Sequence, residues 1–226
     1  MTPDAGPLEA FYYGFVQHPL LLWLAAALGL AALLARRGLA PSLRRYGVAL
    51  SALAALDAWL TTSPVPGLRA LPGALGGALP LLFVLAGDLR FLWLLFDGTP
   101  DGRLAPSAAG LARALALTLV VPLFAQLATT ALGGGDRTLF LVYELAFLAL
   151  AAALAHWHPA ARAIGWRRAL TRFVMLYYGL WALADAWLLA TGADTAYALR
   201  VAPNLLYYGG FVAALAWLPP SAREAR

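Results

Sequence analysis

The 226 residues carry 62% hydrophobic and 12% charged side chains, with a formal net charge of +5 and a sequence pI near 9.9. That balance excludes a water-soluble domain, because too few polar groups remain to cover its surface. Cysteine is absent, which removes disulfides, thiolate metal sites and cysteine nucleophiles together.

Apolar runs predict helices over 12–35, 43–62, 76–96, 109–132, 137–156, 168–190 and 196–218. Each is near the roughly 20 residues needed to cross a hydrocarbon core about 30 Å thick. Between them lie breakers and charges: Arg36-Arg37-Gly38, the stretch Ser63 to Gly67, Asp97-Gly98-Thr99-Pro100, Gly133 to Asp136, His158-Pro159 and Gly192 to Asp194. Every connection is short, so the chain reads as one all-α, polytopic membrane domain over 1–226 with the lipid bilayer as its solvent.

All sixteen basic residues are arginine, and the dominance of Ala, Leu, Gly and Pro points to a GC-rich bacterial genome. The arginines cluster between apolar runs, where membrane topology accounts for them without a nucleic-acid partner. Alternate connections hold Arg36, Arg37, Arg44, Arg45, Arg103, Arg113, Arg162, Arg167, Arg168, Arg172, Arg223 and Arg226; the others hold Arg69, Arg137 and Arg200. Cytoplasmic loops retain positive charge, so the arginine-rich side is expected inside. The N-terminus, with Asp4 and Glu9 and no basic residue, is expected outside and without a cleaved signal peptide; the C-terminus is expected in the cytoplasm of a bacterial inner-membrane protein.

A duplication stands out. Asp57-Ala58-Trp59-Leu60, followed by Leu68-Arg69 and Pro72, is echoed by Asp185-Ala186-Trp187-Leu188, followed by Leu199-Arg200 and Pro203. Arg44 and Arg172 precede the two aspartates by thirteen positions each. The run Trp23 to Leu28 is likewise similar to Ala149 to Leu154. Residues 10–98 and 136–218 therefore read as two three-helix repeats joined by a linker helix at 109–132. An odd number of helices separates the copies, which makes them parallel repeats, and such repeats occur in transporters with the substrate between them.

This 3+1+3 order resembles the SWEET and PQ-loop superfamily in topology. The Pro-Gln pair of that superfamily is replaced here by Gln17-His18-Pro19 in the first helix, and the fifth helix has no proline. Pro203-Asn204 in the last helix is similar to the asparagine position that lines the SWEET sugar pocket, while the third helix offers Pro72-Gly73 or Pro80-Leu81 in the corresponding place. The resemblance implies transport of a small solute. Seven helices also suggest a rhodopsin, but retinal needs a lysine for its Schiff base, so only a scaffold without covalent retinal fits.

Ionisable groups inside a bilayer are expensive and point to function. At about 1.5 Å per residue, Asp57, Asp185 and Gln126 each lie roughly 20 Å above the cytoplasmic boundary. Glu144 and His18 lie roughly 12–14 Å beneath the outer one, with Asn204 nearby. His18, Asp57, Gln126, Glu144, Asp185 and Asn204 are thus expected to form one polar layer, the substrate- and proton-binding wall of a cavity open to the outside. Aligning the Ala/Leu runs sets His18 opposite Glu144, and a proton shared between them would couple transport to protons. In the competing reading, Asp57 and Asp185 pair with Arg69 and Arg200 at the outer interface, Trp59 and Trp187 anchor the helix ends, and His18 bonds a neighbouring helix.

Lower in the third helix, Asp88 and Arg90 point in nearly opposite directions. Asp88 is a candidate inner gate partner for an arginine on another helix, and Arg90 is expected to snorkel to the inner boundary. Tyr177, Tyr178, Trp181, Tyr207 and Tyr208 either line a solute pathway or pack the core. No nucleophile motif, phosphate loop, dinucleotide fingerprint or HExxH site is present, so no catalytic residue, metal or cofactor is assigned. The favoured function is a membrane transporter for a small-molecule solute, compatible with a homo-oligomer. The alternatives are a membrane enzyme acting on a lipid or isoprenoid through a metal held by His18, Asp57, Glu144 and Asp185, and a seven-helix receptor.

Overall fold

The computed structural model describes residues 6–62 and 73–220, which are all-helical, with one isolated bridge between Gly98 and Leu104. Helix α1 (Pro7–Phe11) passes into a π-helical turn (Tyr12–Val16), and this segment meets α2 (Pro19–Ala35) at a bend of 57°. A single helix over 12–35 is the expectation, and proline explains the break. Its ring disfavours helical geometry in the preceding residue, so His18 is extended, at φ −67° and ψ 132°. The His18 Nδ1 then accepts from the Leu20 amide at 3.3 Å and caps α2.

Helix α3 (Pro41–Thr62) is followed among the described residues by α4 (Gly73–Asp97). The Asp97 carboxylate accepts from Trp93 Nε1 at 2.8 Å, the Ser107 amide at 2.9 Å and the Ser107 hydroxyl at 2.7 Å. Ser107 in turn caps α5 (Ala108–Leu132) by accepting from the Gly110 amide. The next elements are α6 (Asp136–Trp157), the short α7 (Pro159–Ala163) and α8 (Gly165–Thr191). Gly133 and Gly192, both at φ +64°, end α5 and α8 in the left-handed conformation that glycine adopts without strain. The last run is α9 (Ala196–Leu205), a π-helical stretch (Leu206–Gly210) and α10 (Phe211–Trp217).

The long helices pack in chain order: α2 on α3, α3 on α4, α4 on α5, α5 on α6, α6 on α8, and α8 on α9. The π-helical stretch and α10 return to α2, which closes the circuit. That closure relies on glycine. A Cβ on Gly29 would run into the Gly209 carbonyl, and one on Gly209 into the Ala25 backbone, so the two helices touch main chain to main chain.

The core is fully buried apolar and aromatic surface, with Phe91, Leu92, Leu94 and Leu95 of α4 against Phe147 of α6, Val174 of α8 and Phe211 of α10. The outside is equally apolar: Leu24, Leu28, Leu119, Leu123, Phe124, Leu127, Leu183 and Leu189 are all exposed. A protein greasy on both sides is suited to a lipid environment. By length and apolarity, α5, α6 and α8 can cross a membrane, and the bent pair Pro7–Val16 plus Pro19–Ala35 makes a fourth candidate. Of the other runs, α3 carries Arg44, Arg45 and Asp57, α4 carries Asp88, Arg90 and Asp97, and the C-terminal run is divided by its π-helical stretch.

Candidate functional site

A cavity of about 210 Å³ lies among α3, α4, α6, α8 and α9, lined by Asp57, Glu144, Arg200 and Asn204 with the aromatic side chains Phe83, Phe140, Tyr143, Tyr178, Trp181, Tyr207 and Tyr208. Helical periodicity explains the α6 contribution, since Phe140 and Glu144 are one turn apart and share a face. On the C-terminal run, Arg200 and Asn204 repeat that spacing. Tyr207 and Tyr208, in the π-helical stretch that follows, are both at the wall.

Beside the cavity, behind Arg200, Asp185 is fully buried and accepts from Arg200 and, at 3.3 Å, from Arg137. Arg137 also donates to the hydroxyls of Tyr13 at 3.2 Å and Tyr197 at 3.4 Å. The Asp194 carboxylate accepts from the amides of Leu8 at 2.8 Å and Glu9 at 2.7 Å, fastening the N-terminal segment beside this cluster. The pairing of Asp185 with Arg200 follows the interfacial reading of the duplication; Arg69, the expected partner of Asp57, lies outside the described residues. Asp57 itself is buried against the cavity, within hydrogen-bonding reach of Tyr208.

Glu144 is 6% exposed, and its Oε2 meets no hydrogen-bond partner among the described residues. Two further lining atoms are in the same condition: Nδ2 of Asn204, a residue 5% exposed, and Nε of Arg200. Buried polar atoms without partners are rare because each costs about 1–3 kcal/mol. Three such atoms, an acceptor and two donors, belong to side chains that line this one cavity.

Two lining residues, Tyr143 and Tyr178, donate their hydroxyls to the two carboxylate oxygens of Asp88, which is 1% exposed and not itself at the wall. An arginine partner is the expectation for Asp88; two tyrosines take that place. Arg90 does not snorkel. Its guanidinium is buried between the rings of Tyr207 and Phe211, 4.1 and 4.4 Å from their centroids, and donates to the Tyr207 carbonyl at 2.9 Å. Gly87 makes room for this arrangement, since a Cβ there would strike the Tyr207 hydroxyl.

The structure therefore gathers Asp57, Glu144 and Asn204 at the cavity, sets Asp185 behind Arg200, and ties Asp88 and Arg90 to the lining tyrosines Tyr143, Tyr178 and Tyr207. Two predicted members stand apart. Gln126 is on an exposed face of α5, beside Thr130, and His18 caps α2. Depth along a helix is read from spacing, whereas the face a residue presents depends on rotation about the axis, and α5 is apolar on all sides. Among the described residues no cluster of three or more His, Cys, Asp or Glu side chains comes together, so the proposed four-residue metal set is not assembled. Sequence reasoning passed over Arg137 and Tyr143. Arg137 is seven residues before Glu144 on α6, two turns away on nearly the same face, and that spacing was the available signal. No family model, curated protein or solved structure matches this chain.

Proposed function

We propose that this chain is a seven-span transporter of a bacterial cytoplasmic membrane, N-terminus outside, which carries a small solute through the cavity between its repeats and couples that movement to protons at Glu144. The observation that carries the reading is Glu144, a buried acid that lines the cavity and whose Oε2 has no hydrogen-bond partner among the described residues. A charged oxygen left so in a low-dielectric interior is costly unless a proton or a ligand comes to it. The two DAWL copies support the repeat: Asp57 and Asp185 are buried while Trp59 and Trp187 are exposed, so the motif presents the same faces twice. The π-helical stretch at Tyr207 and Tyr208 adds support, since such irregularities concentrate at functional sites.

The test is uptake into proteoliposomes of radiolabelled glucose, L-leucine, choline and glutamate under an imposed inward proton gradient. At least one solute should enter faster than in protein-free vesicles, with the gradient increasing the rate and Glu144→Gln reducing it at least tenfold. Uptake of none of them, or uptake indifferent to Glu144→Gln, would contradict the proposal. A seven-helix receptor is the second reading, favoured by the packing of helices in chain order around a closed circuit. Solute binding without uptake would decide for it.

A further inference from the structure

Where α6 passes through the short α7 into α8, the chain forms an open groove of about 600 Å³, lined by Ala155, Trp157, Pro159, Arg162, Ala163 and Arg168. The ends of two long helices and the connection between them supply its walls. Arg168 reaches across the corner and donates from Nη2 to the Arg162 carbonyl, so arginines from two helices meet at one groove. Its size falls within the roughly 300–1,000 Å³ of small-molecule sites.

Nothing acidic lines this groove. Arg162 and Arg168 are exposed, and neither pairs with a carboxylate among the described residues. The acids of the nearby α4–α5 connection are already engaged: Asp97 holds Trp93 and Ser107, and Asp101 holds Arg103. Arg168 also stands in the first turn of α8, where the helix dipole is positive and no acidic residue offsets it. His158, next to Pro159, is held below the ordinary histidine range by partial burial and then by the charges of Arg167 and Arg113. Membrane topology accounts for arginines at this end of the bundle. It does not account for two helices placing theirs on one groove without a counter-charge.

The level of the groove selects among anions. Both α6 and α8 are long and apolar enough to cross a membrane, and they pack on each other. The groove joins the end of one to the start of the other, so in a bilayer it stands where hydrocarbon gives way to headgroups. Trp157, the last residue of α6 and 73% exposed, is a side chain that favours that boundary. Guanidiniums grip phosphate through paired N–H donors, and Ala155, Pro159 and Ala163 offer apolar surface beside them. A zwitterionic headgroup would bring a second cation into a groove that has no acid to receive it.

We infer that this groove binds the headgroup of an anionic phospholipid in the leaflet at the arginine-rich end, with its phosphate held by Arg162 and Arg168. The inference rests only on the bilayer placement within the proposed function, and holds for a receptor as well as for a transporter.

The full-length protein in detergent should be titrated with dioleoyl phosphatidylglycerol and, in parallel, with dioleoyl phosphatidylcholine, which has the same chains and phosphate but no net charge. Native mass spectrometry counts the bound lipid. Phosphatidylglycerol should bind at least tenfold more tightly. Arg162→Gln with Arg168→Gln should weaken it at least fivefold, whereas Arg37→Gln with Arg45→Gln, which removes the same charge from exposed positions outside the groove, should change it less than twofold. An excess of inorganic phosphate should leave the lipid in place. Equal binding of the two lipids, equal losses in the two double variants, or displacement of the lipid by inorganic phosphate would overturn the inference; the last two would mark a diffuse charge effect and a site for a free anion. Neither double variant touches the cavity, so solute uptake in proteoliposomes tests the transport reading separately.

Discussion

Glu144 and Asp185 are both buried carboxylates, yet their environments predict opposite responses to neutralisation. Asp185 holds Arg200 and Arg137. Its replacement by Asn leaves two partly buried guanidiniums without their counter-charge, and breaking such a pair costs about 3 kcal/mol. The thermal midpoint of Asp185→Asn in detergent should fall clearly. Among the described residues Glu144 has no hydrogen-bonded partner at Oε2, so Glu144→Gln replaces an unsatisfied oxygen by an amide of the same shape and should cost less than about 1 kcal/mol. A large loss in Glu144→Gln and none in Asp185→Asn would reverse the assignment of which acid is structural and which is held for a ligand. Glu144 was legible from the sequence because an acid with apolar neighbours and no nearby base has no local explanation. The partners of Asp185 were only half legible: Arg200 is fifteen residues along the chain within the duplicated motif, but Arg137 reaches it from forty-eight residues away.

Among the elements, the seam between α2 and the C-terminal run brings backbone against backbone at Gly29 and Gly209. Gly209→Ala places a methyl against the Ala25 main chain, which cannot yield as a side-chain tip would. The expected cost is about 1–3 kcal/mol, the range for overpacking, read as a lowered midpoint; an unchanged midpoint would show that the seam is looser than described. The N-terminal segment is held differently, by the Asp194 carboxylate on two amides of α1. Asp194→Ala should remove about 1 kcal/mol of capping and speed amide exchange at Leu8 and Glu9, leaving α8 unaffected. Helix positions from α3 onward could be read within a few residues because proline, glycine and charge punctuate the apolar runs. The break at His18 was also written in the sequence, in the proline that follows it, but an uninterrupted apolar pattern on both sides concealed it. The same uniformity hid the outward face of Gln126, whose helix has no polar stripe to set its rotation.

At the scale of the whole molecule, a greasy exterior surrounds a largely apolar core in which, besides a buried set that includes Asp97 and Arg167, a polar vein runs from Asp185 to Arg90. In water such an exterior would aggregate; in lipid it is the expected surface, and the vein is then the anomaly that needs a function. The absence of cysteine from the sequence lets single cysteines report on both statements without background. Arg103→Cys, in the connection between α4 and α5, should react with a membrane-impermeant thiol reagent only from the cytoplasmic side, which the arginine distribution requires; reaction from outside would invert the topology. The most direct test concerns the cavity itself. In right-side-out and inverted vesicles, a charged methanethiosulfonate should modify Asn204→Cys from the outside only, and should leave Gln126→Cys, on the exposed face of α5 expected to meet lipid, and Val174→Cys, in the packed core, unmodified from either side. Labelling of Gln126→Cys with Asn204→Cys inert would contradict the claim that a polar cavity opens between these helices.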